Sequence, residues 1–284
     1  MKQKIIRYGF GVFLLLFLLF ATLSVSISRT FGFVLLFIAS IFFIIIGMKE
    51  YRRMLSNIDI YPHKALPETI CILIALFLCI STDPTKDLFL VMPIMMTGVI
   101  LSFIITVIKN KKPYMLTTFY TIGGILLTFC GLYFIKLCHL TGRTFPFDIL
   151  FIYIITILLS DYVASIVGKK FKDGKPLSAE ISPNKTIAGA IAHLITSVIL
   201  CVILSFLLVK YTVLFGALFG IIISVFAQLG DLTISMIKRE CGVEHSGKFF
   251  LDFGGFLDRM DAFIFSAPAL FYFLMIIGLF FKGM

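Results

Sequence analysis

The sequence predicts an all-α, polytopic membrane protein of about nine transmembrane helices, with its amino terminus cytoplasmic and its carboxyl terminus outside. Three observations predict it. Hydrophobic residues make up 60% of the chain and charged residues only 14%. That is more apolar surface than one soluble core of this size could hide, so lipid has to be the solvent. Apolar stretches of about 20 residues recur along the chain, long enough to cross hydrocarbon as helices that satisfy their own backbone. The basic residues between them gather on one face.

The spans fall at Tyr8–Ile27, Thr30–Met48, Thr69–Thr82, Leu88–Ile108, Tyr114–Ile135, Phe147–Gly168, Thr186–Val209, Tyr211–Ile237 and Ala262–Phe281. The third is short and closely bracketed by Glu68 and Asp83. With the amino terminus inside, 19 of the 25 Lys and Arg residues come to the cytoplasmic face. Arg29, Lys86, Lys136, Arg143, Lys210 and Lys282 go to the other, the asymmetry of the positive-inside rule. Without the third span, the basic loops 49–64 and 109–112 would lie on opposite faces, so the count keeps it. The net charge of +10 then reads as a topology signal with some attraction to anionic headgroups, and no nucleic-acid partner is implied.

Residues 1–28 hold too long an apolar run, and Ser24-Val25-Ser26 too poor a cleavage site, for a signal peptide. The six cysteines show no C-x-x-C spacing and read as small buried hydrophobes. The chain divides into residues 1–150, helices that pack and admit lipid, and residues 151–284, which carry two polar loops at Lys169–Lys185 and Lys238–Asp261.

These loops hold the candidate chemistry. Asp161 and Asp231 sit inside spans, where a carboxylate must pair, protonate or bind a cation. Asp231, Ser235 and Lys238 share one helix face by their spacing of four and three. Asp258 and Asp261 are neighbours if the last helix begins before Ala262. Ser246-Gly247 and Gly254-Gly255 give a loop whose backbone can approach a ligand closely. Two aspartates from different helices beside Lys and Arg suit Mg²⁺, which takes a few carboxylates together with phosphate oxygens. The alternative is that Asp231 and Asp258 merely pair with Lys238 and Arg259 at the interface. Upstream, Ile181-Ser-Pro-Asn-Lys-Thr186 runs into a helix, where Lys185, Thr186 and free helix-start amides form an anion site. The bland reading of the same residues is a Ser/Thr cap.

Together the segments resemble the CDP-diacylglycerol synthases, or phosphatidate cytidylyltransferases, over residues 155–262 in motif and the whole chain in hydropathy. The family pattern S-x-x-K-R-x-x-G-x-K-D-S-G-x-x-x-P-G-H-G-G-x-x-D-R-x-D, preceded by G-D-L, is matched without a gap by Gly230-Asp231-Leu232, Ser235, Lys238, Arg239, Gly242, Ser246, Gly247, Gly254, Gly255, Asp258, Arg259 and Asp261. Ser182-Pro183, Lys185-Thr186 and Gly189 resemble its S-P-x-K-T-x-E-G, and Ser160-Asp161 its S-D-T-G-A-Y. The resemblance implies transfer of a cytidylyl group from CTP to phosphatidate at a cytoplasm-facing cavity of the plasma membrane. It implies Mg²⁺ on Asp231 and Asp258, with K⁺ or a second divalent ion as an added candidate, and it allows a homodimer.

Lys185, Lys238, Arg239 and Arg259 are then phosphate clamps, Asp261 belongs to the catalytic set, and Ser182 and Ser235 bond phosphate or metal-bound water. The chain departs from the pattern at Glu244, His245, Leu251, Phe253, Ala188, Ile234 and Tyr162-Val163. Asp252, Glu244 and His245 are candidates to compensate. Two rival readings are a CTP-dependent lipid alcohol kinase with His245 as base, and a non-catalytic relative that binds anionic lipid.

Overall fold

The computed structural model describes residues 29–81, 84–109, 113–141, 147–171, 175–250 and 254–281. In chain order they form α1 (Arg29–Ser56), α2 (Ala65–Ile80), α3 (Pro84–Lys109), α4 (Tyr114–Thr141), α5 (Phe147–Lys170), β1 (Pro176–Ser178), β2 (Ser182–Thr186), α6 (Ile187–Leu204), a π-helical turn (Ser205–Val209), α7 (Val213–Glu240) and α8 (Leu257–Phe281). The first expected span, Tyr8–Ile27, lies outside the described residues. Each of the other eight meets a helix, and seven of these are long and apolar enough to cross a membrane. The chain is an all-α polytopic membrane protein.

One expected span is shorter than the others, and one placement is corrected. The third span is the 16-residue α2, which rises only about 24 Å against a hydrocarbon core of about 30 Å. Lys136 was assigned to an outer loop, but it lies inside α4 and is buried. Its Nζ donates to Leu78 O (3.0 Å) and Ser81 O (2.7 Å) and pairs with Asp87 Oδ2 at 3.0 Å. Those carbonyls end α2 and lack helical partners, so one lysine ties three helices together.

The helices form two groups, α1–α4 and α5–α8, joined chiefly by α4 packing on α8. In the second group α7 lies very close to α6. A Cβ on Gly216 or Gly220 would come within 2.7 Å of the α6 backbone, the close approach that a small-xxx-small spacing permits in lipid. The sidedness of α6 has an inverted sense. Ile187, Ile191, Ile195, Ile199 and Ile203 face outward, while Gly189, His193, Ser197 and Cys201 are buried. Both stripes repeat every four residues, as a helix facing lipid on one side and a polar interior on the other requires.

His63, between α1 and α2, latches the first group. Its N–H donates to Thr121 Oγ1 (3.0 Å) and its Nε2 meets Thr106 Oγ1 (2.9 Å). Burial, and then the nearby charge of Lys109, hold its imidazole below the ordinary histidine range, partly offset by the Ser102 carbonyl.

Candidate active site

The C-terminal end of α7, the N-terminal end of α8 and the β1–β2 hairpin meet at one end of the bundle. The hairpin is a small departure from an all-helical chain and has a clear task. The expected loop Ser182–Thr186 is strand β2, paired antiparallel with β1, and it carries Lys185 to the Asp231 carboxylate of α7, where the two form an ion pair. Thr186 Oγ1 accepts from Gly189 N (3.1 Å) and caps α6. The capping reading of Thr186 is therefore the one observed, and Lys185 alone of that pair faces the acids.

Helices α7 and α8 run antiparallel and touch at Gly230, where a Cβ would overlap the Asp261 carbonyl. This contact sets the register of the acids. Asp261 lies within electrostatic reach of Asp231, of Asp161 on α5, and of Lys185. Asp258, one helical turn nearer the loop, falls opposite Lys238, whose Nζ donates to Asp258 Oδ1 at 2.7 Å. Asp258 Oδ2 accepts from Ser246 N and Gly255 N, each at 2.9 Å. The last helix does begin before Ala262, so Asp258 and Asp261 share a face as their spacing required.

Sequence reasoning missed Glu50. It lies near the end of α1, beside Arg52 and Arg53, and its position looks like an ordinary basic boundary of a span. In the fold it is 6% exposed. Oε1 accepts from Phe256 N (2.8 Å), and Oε2 from Leu257 N and from Ser246 Oγ (both 2.9 Å). One carboxylate thereby caps α8, where the free amides and helix dipole favour negative charge, and pins the α7–α8 loop.

This changes the role of the glycines. A Cβ on Gly247 or Gly255 would overlap the Glu50 carboxylate, and Gly254 takes φ +91° against Asp258. Their missing side chains let two buried acids gather the loop around themselves.

The other expected residues fall as follows. Ser235 Oγ stands 3.5 Å from Asp231 Oδ1. Arg239 Nε donates to Ile181 O at 3.2 Å and anchors the hairpin turn. Ser182 is buried in β2, and Arg259 lies in the first turn of α8. His245 Nδ1 is 3.6 Å from Asp258 Oδ2. Ile234 is fully buried, Ala188 is half-buried and Glu244 is exposed. Leu251, Asp252 and Phe253 lie outside the described residues.

A second polar chain, also unforeseen, runs inward from the acids. Gln228 Nε2 donates to Ser224 Oγ (3.0 Å), Ser224 Oγ lies 2.7 Å from His193 Nδ1, and His193 Nε2 stands 3.2 Å from Asp161 Oδ1. Ser160 and Ser197 hydroxyls bond beside it at 2.8 Å. A histidine inside an apolar span was the available signal.

The donor set fits a hard cation of low protein coordination. Among the described residues Asp231 Oδ1 meets no donor closer than the Ser235 hydroxyl at 3.5 Å, which leaves this oxygen available to an ion. Asp258 Oδ1 is held by a lysine that a divalent ion could displace. Among the described residues no three His, Cys, Asp or Glu side chains form a metal-holding group, so water and phosphate oxygens would have to complete the shell.

Comparison with known proteins identifies the family. The model of the cytidylyltransferase family matches residues 5–277. A phosphatidate cytidylyltransferase of Staphylococcus saprophyticus is 31% identical over 243 residues, 84% of this chain and 89% of that protein. One of Bacillus subtilis is 32% identical over 187 residues, 64% and 68% of the two chains. The uncharacterized protein YnbB of Escherichia coli is 34% identical over 126 residues, 44% and 42%. With a family match over nearly its whole length, and with Asp231 and Asp258 paired to Lys185 and Lys238 where α7 crosses α8, this chain belongs to the cytidylyltransferase family.

Proposed function

We propose that the protein transfers the cytidylyl group of CTP to phosphatidate, giving CDP-diacylglycerol and pyrophosphate. The observation that carries this reading is two lysine–aspartate bridges whose acids stand on the crossing helices α7 and α8: Lys185–Asp231, about a third exposed, and the more buried Lys238–Asp258. A phosphate oxygen of phosphatidate attacks the α-phosphorus of CTP, and the bond from that phosphorus to the oxygen bridging to the β-phosphate breaks. The electron pair leaves on pyrophosphate. The nucleophile is already an anion, so no base has to remove a proton. Catalysis then consists of alignment and of neutralising charge that migrates to the leaving group.

The chain supplies both. Lys185 and Lys238 are the nearest cations, each able to exchange its aspartate for a phosphate oxygen. Arg259 stands in the same first turn of α8 as Asp258. Asp231 and Asp258 would hold Mg²⁺, with Asp261 facing them, and the ion when bound would shield negative charge on the phosphate chain. Arg239 contributes by keeping the hairpin, and so Lys185, in place. On this reading the site faces the cytoplasm, as the positive-inside bias of the loops supports, with CTP arriving from the soluble side and phosphatidate from the leaflet beside α5–α8.

The test is direct. Purified protein given Mg²⁺, CTP and phosphatidate should release CDP-diacylglycerol and pyrophosphate. Asp231→Asn should abolish both products. Release of CDP with a phosphorylated lipid alcohol would point to the kinase reaction instead, and no product from the wild type would sink the proposal.

A further inference from the structure

A cavity of about 530 Å³ opens between the end of α1 and the α7–α8 loop, lined by Arg53, Met54, Asn57, Val243, His245, Ser246, Gly247 and Lys248. Its volume is that of a small-molecule site, for which about 300–1,000 Å³ is usual. No acid is among its lining residues, while two cations and a histidine are. Arg53 and Lys248 are exposed, and among the described residues neither side chain has a partner. Lys185, Lys238 and Arg239, by contrast, are each already bonded within the protein. With no acid in the lining, the two cations are poised for an external anion.

The cavity wall is rigid for a reason already described. Ser246 is fixed from behind by Glu50 through its hydroxyl and by Asp258 through its amide. Gly247 is packed against Glu50, so the strip facing the cavity cannot drift. His245 joins the two spaces, lying in the cavity wall with its Nδ1 3.6 Å from Asp258 Oδ2. An anion seated between Arg53 and Lys248 is therefore next to the Asp258–Lys238 pair.

We infer that this cavity binds the terminal phosphates of the nucleotide and, after transfer, the pyrophosphate. The cations favour a multiply charged phosphate chain, and Arg53 can meet one with a bidentate fork. The identity of the anion rests on the cytidylyl-transfer reading. The inference gives the N-terminal helices a direct part in substrate binding, through a residue that otherwise reads as a topology signal.

The experiment uses the full-length protein in detergent or nanodiscs. Isothermal titration with inorganic pyrophosphate in Mg²⁺ buffer, without turnover, is compared for the wild type, Arg53→Ala/Lys248→Ala and Arg53→Lys, with Lys169→Ala, an exposed cation outside the cavity lining, as the control. The double variant should weaken pyrophosphate binding at least tenfold and raise the KM for CTP, leaving the KM for phosphatidate and the melting temperature near wild type. Arg53→Lys should recover part of the loss, and the control should match the wild type.

Unchanged pyrophosphate binding in the double variant would overturn the inference. A rise in the phosphatidate KM alone, with loss of binding to phosphatidate vesicles, would also overturn it in favour of a lipid headgroup site. If pyrophosphate binding depends on Arg53 and Lys248 but no CDP-lipid forms, the cavity stands and the proposed reaction falls. If CDP-lipid forms with an unaltered CTP KM in the double variant, the reaction stands and the cavity assignment falls.

Discussion

Lys136 and Lys185 both reach from one segment of the chain to an aspartate on another, yet they live in different solvents. The side chains of the Lys136–Asp87 pair in α4 and α3 are 0% and 1% exposed, while those of Lys185–Asp231 are 34% and 29% exposed. Around the first pair the N-terminal helices are packed with aliphatic and aromatic side chains. Around the second, α5–α8 gather serines, His193 and Gln228 beside Asp161, Asp231, Asp258 and Asp261. A sealed pair has nothing to exchange with. Its desolvation has already been met, and it holds α2, α3 and α4 in register. An open pair can trade its partner for a ligand ion at modest cost. The difference marks the N-terminal group as a scaffold and the C-terminal group as the reactive one, with Glu50 and Arg53 as the places where the scaffold touches the chemistry.

The comparison can be broken most forcefully at Asp231 and Asp258. Either Asp→Asn change should lower kcat by at least about 10²–10³-fold, the scale seen when one charge-stabilising group is removed. The change should leave the detergent-extracted protein folded, as judged by its melting profile. An inactive variant that also unfolds would show the open pairs to be structural after all.

Next in size is Lys136→Met. Removing one partner of a buried pair should cost about 3–5 kcal/mol, and Lys136→Met with Asp87→Leu should restore most of it, while activity per folded molecule stays at the wild-type level in the double variant. Denaturation measured alongside turnover reads both. Glu50→Ala should fall between the two classes. It strands two backbone amides and a hydroxyl, for about 1–3 kcal/mol each if they stay dry, and it should also lower kcat, because the loop that presents Asp258 loosens. Loss of stability with full kcat would confine Glu50 to the scaffold.

The smallest effect concerns His63. Its folded pKa is depressed, so protonation favours the unfolded chain. Stability should be unaffected well above the unfolded value of about 6.5 and decline as the pH falls below it. His63→Gln should flatten that decline without changing the activity at neutral pH.

How much of this could be read from the residues differs from place to place. Hydropathy located eight of the helices now seen, because exposure to lipid is a property of a segment and not of its neighbours. The gap-free run from Gly230 to Asp261 located the reactive end for a similar reason, since the acids and cations lie close together along the chain. The roles within that run were less legible. Pairing of the two aspartates with Lys238 and Arg259 was one of two open readings, and the fold pairs Lys238 with Asp258 and Lys185 with Asp231, while Thr186 proved to be a cap. The glycines proved to be packing surfaces for Glu50 and Asp258. Those assignments depend on which helices cross, and the crossing depends on single contacts such as Gly230 on Asp261.

What the sequence by itself determined is therefore the solvent, the approximate spans and the end of the bundle that carries charge. These follow from local composition, which lipid and water sort without reference to the rest of the fold. Only the tertiary structure decided that Glu50 organises a loop 196 residues further along. It alone buried Lys136 as a joint between helices and brought Arg53 beside Lys248. A carboxylate or ammonium group carries the same letter whether it is hydrated, paired or poised, and its neighbours in space settle which.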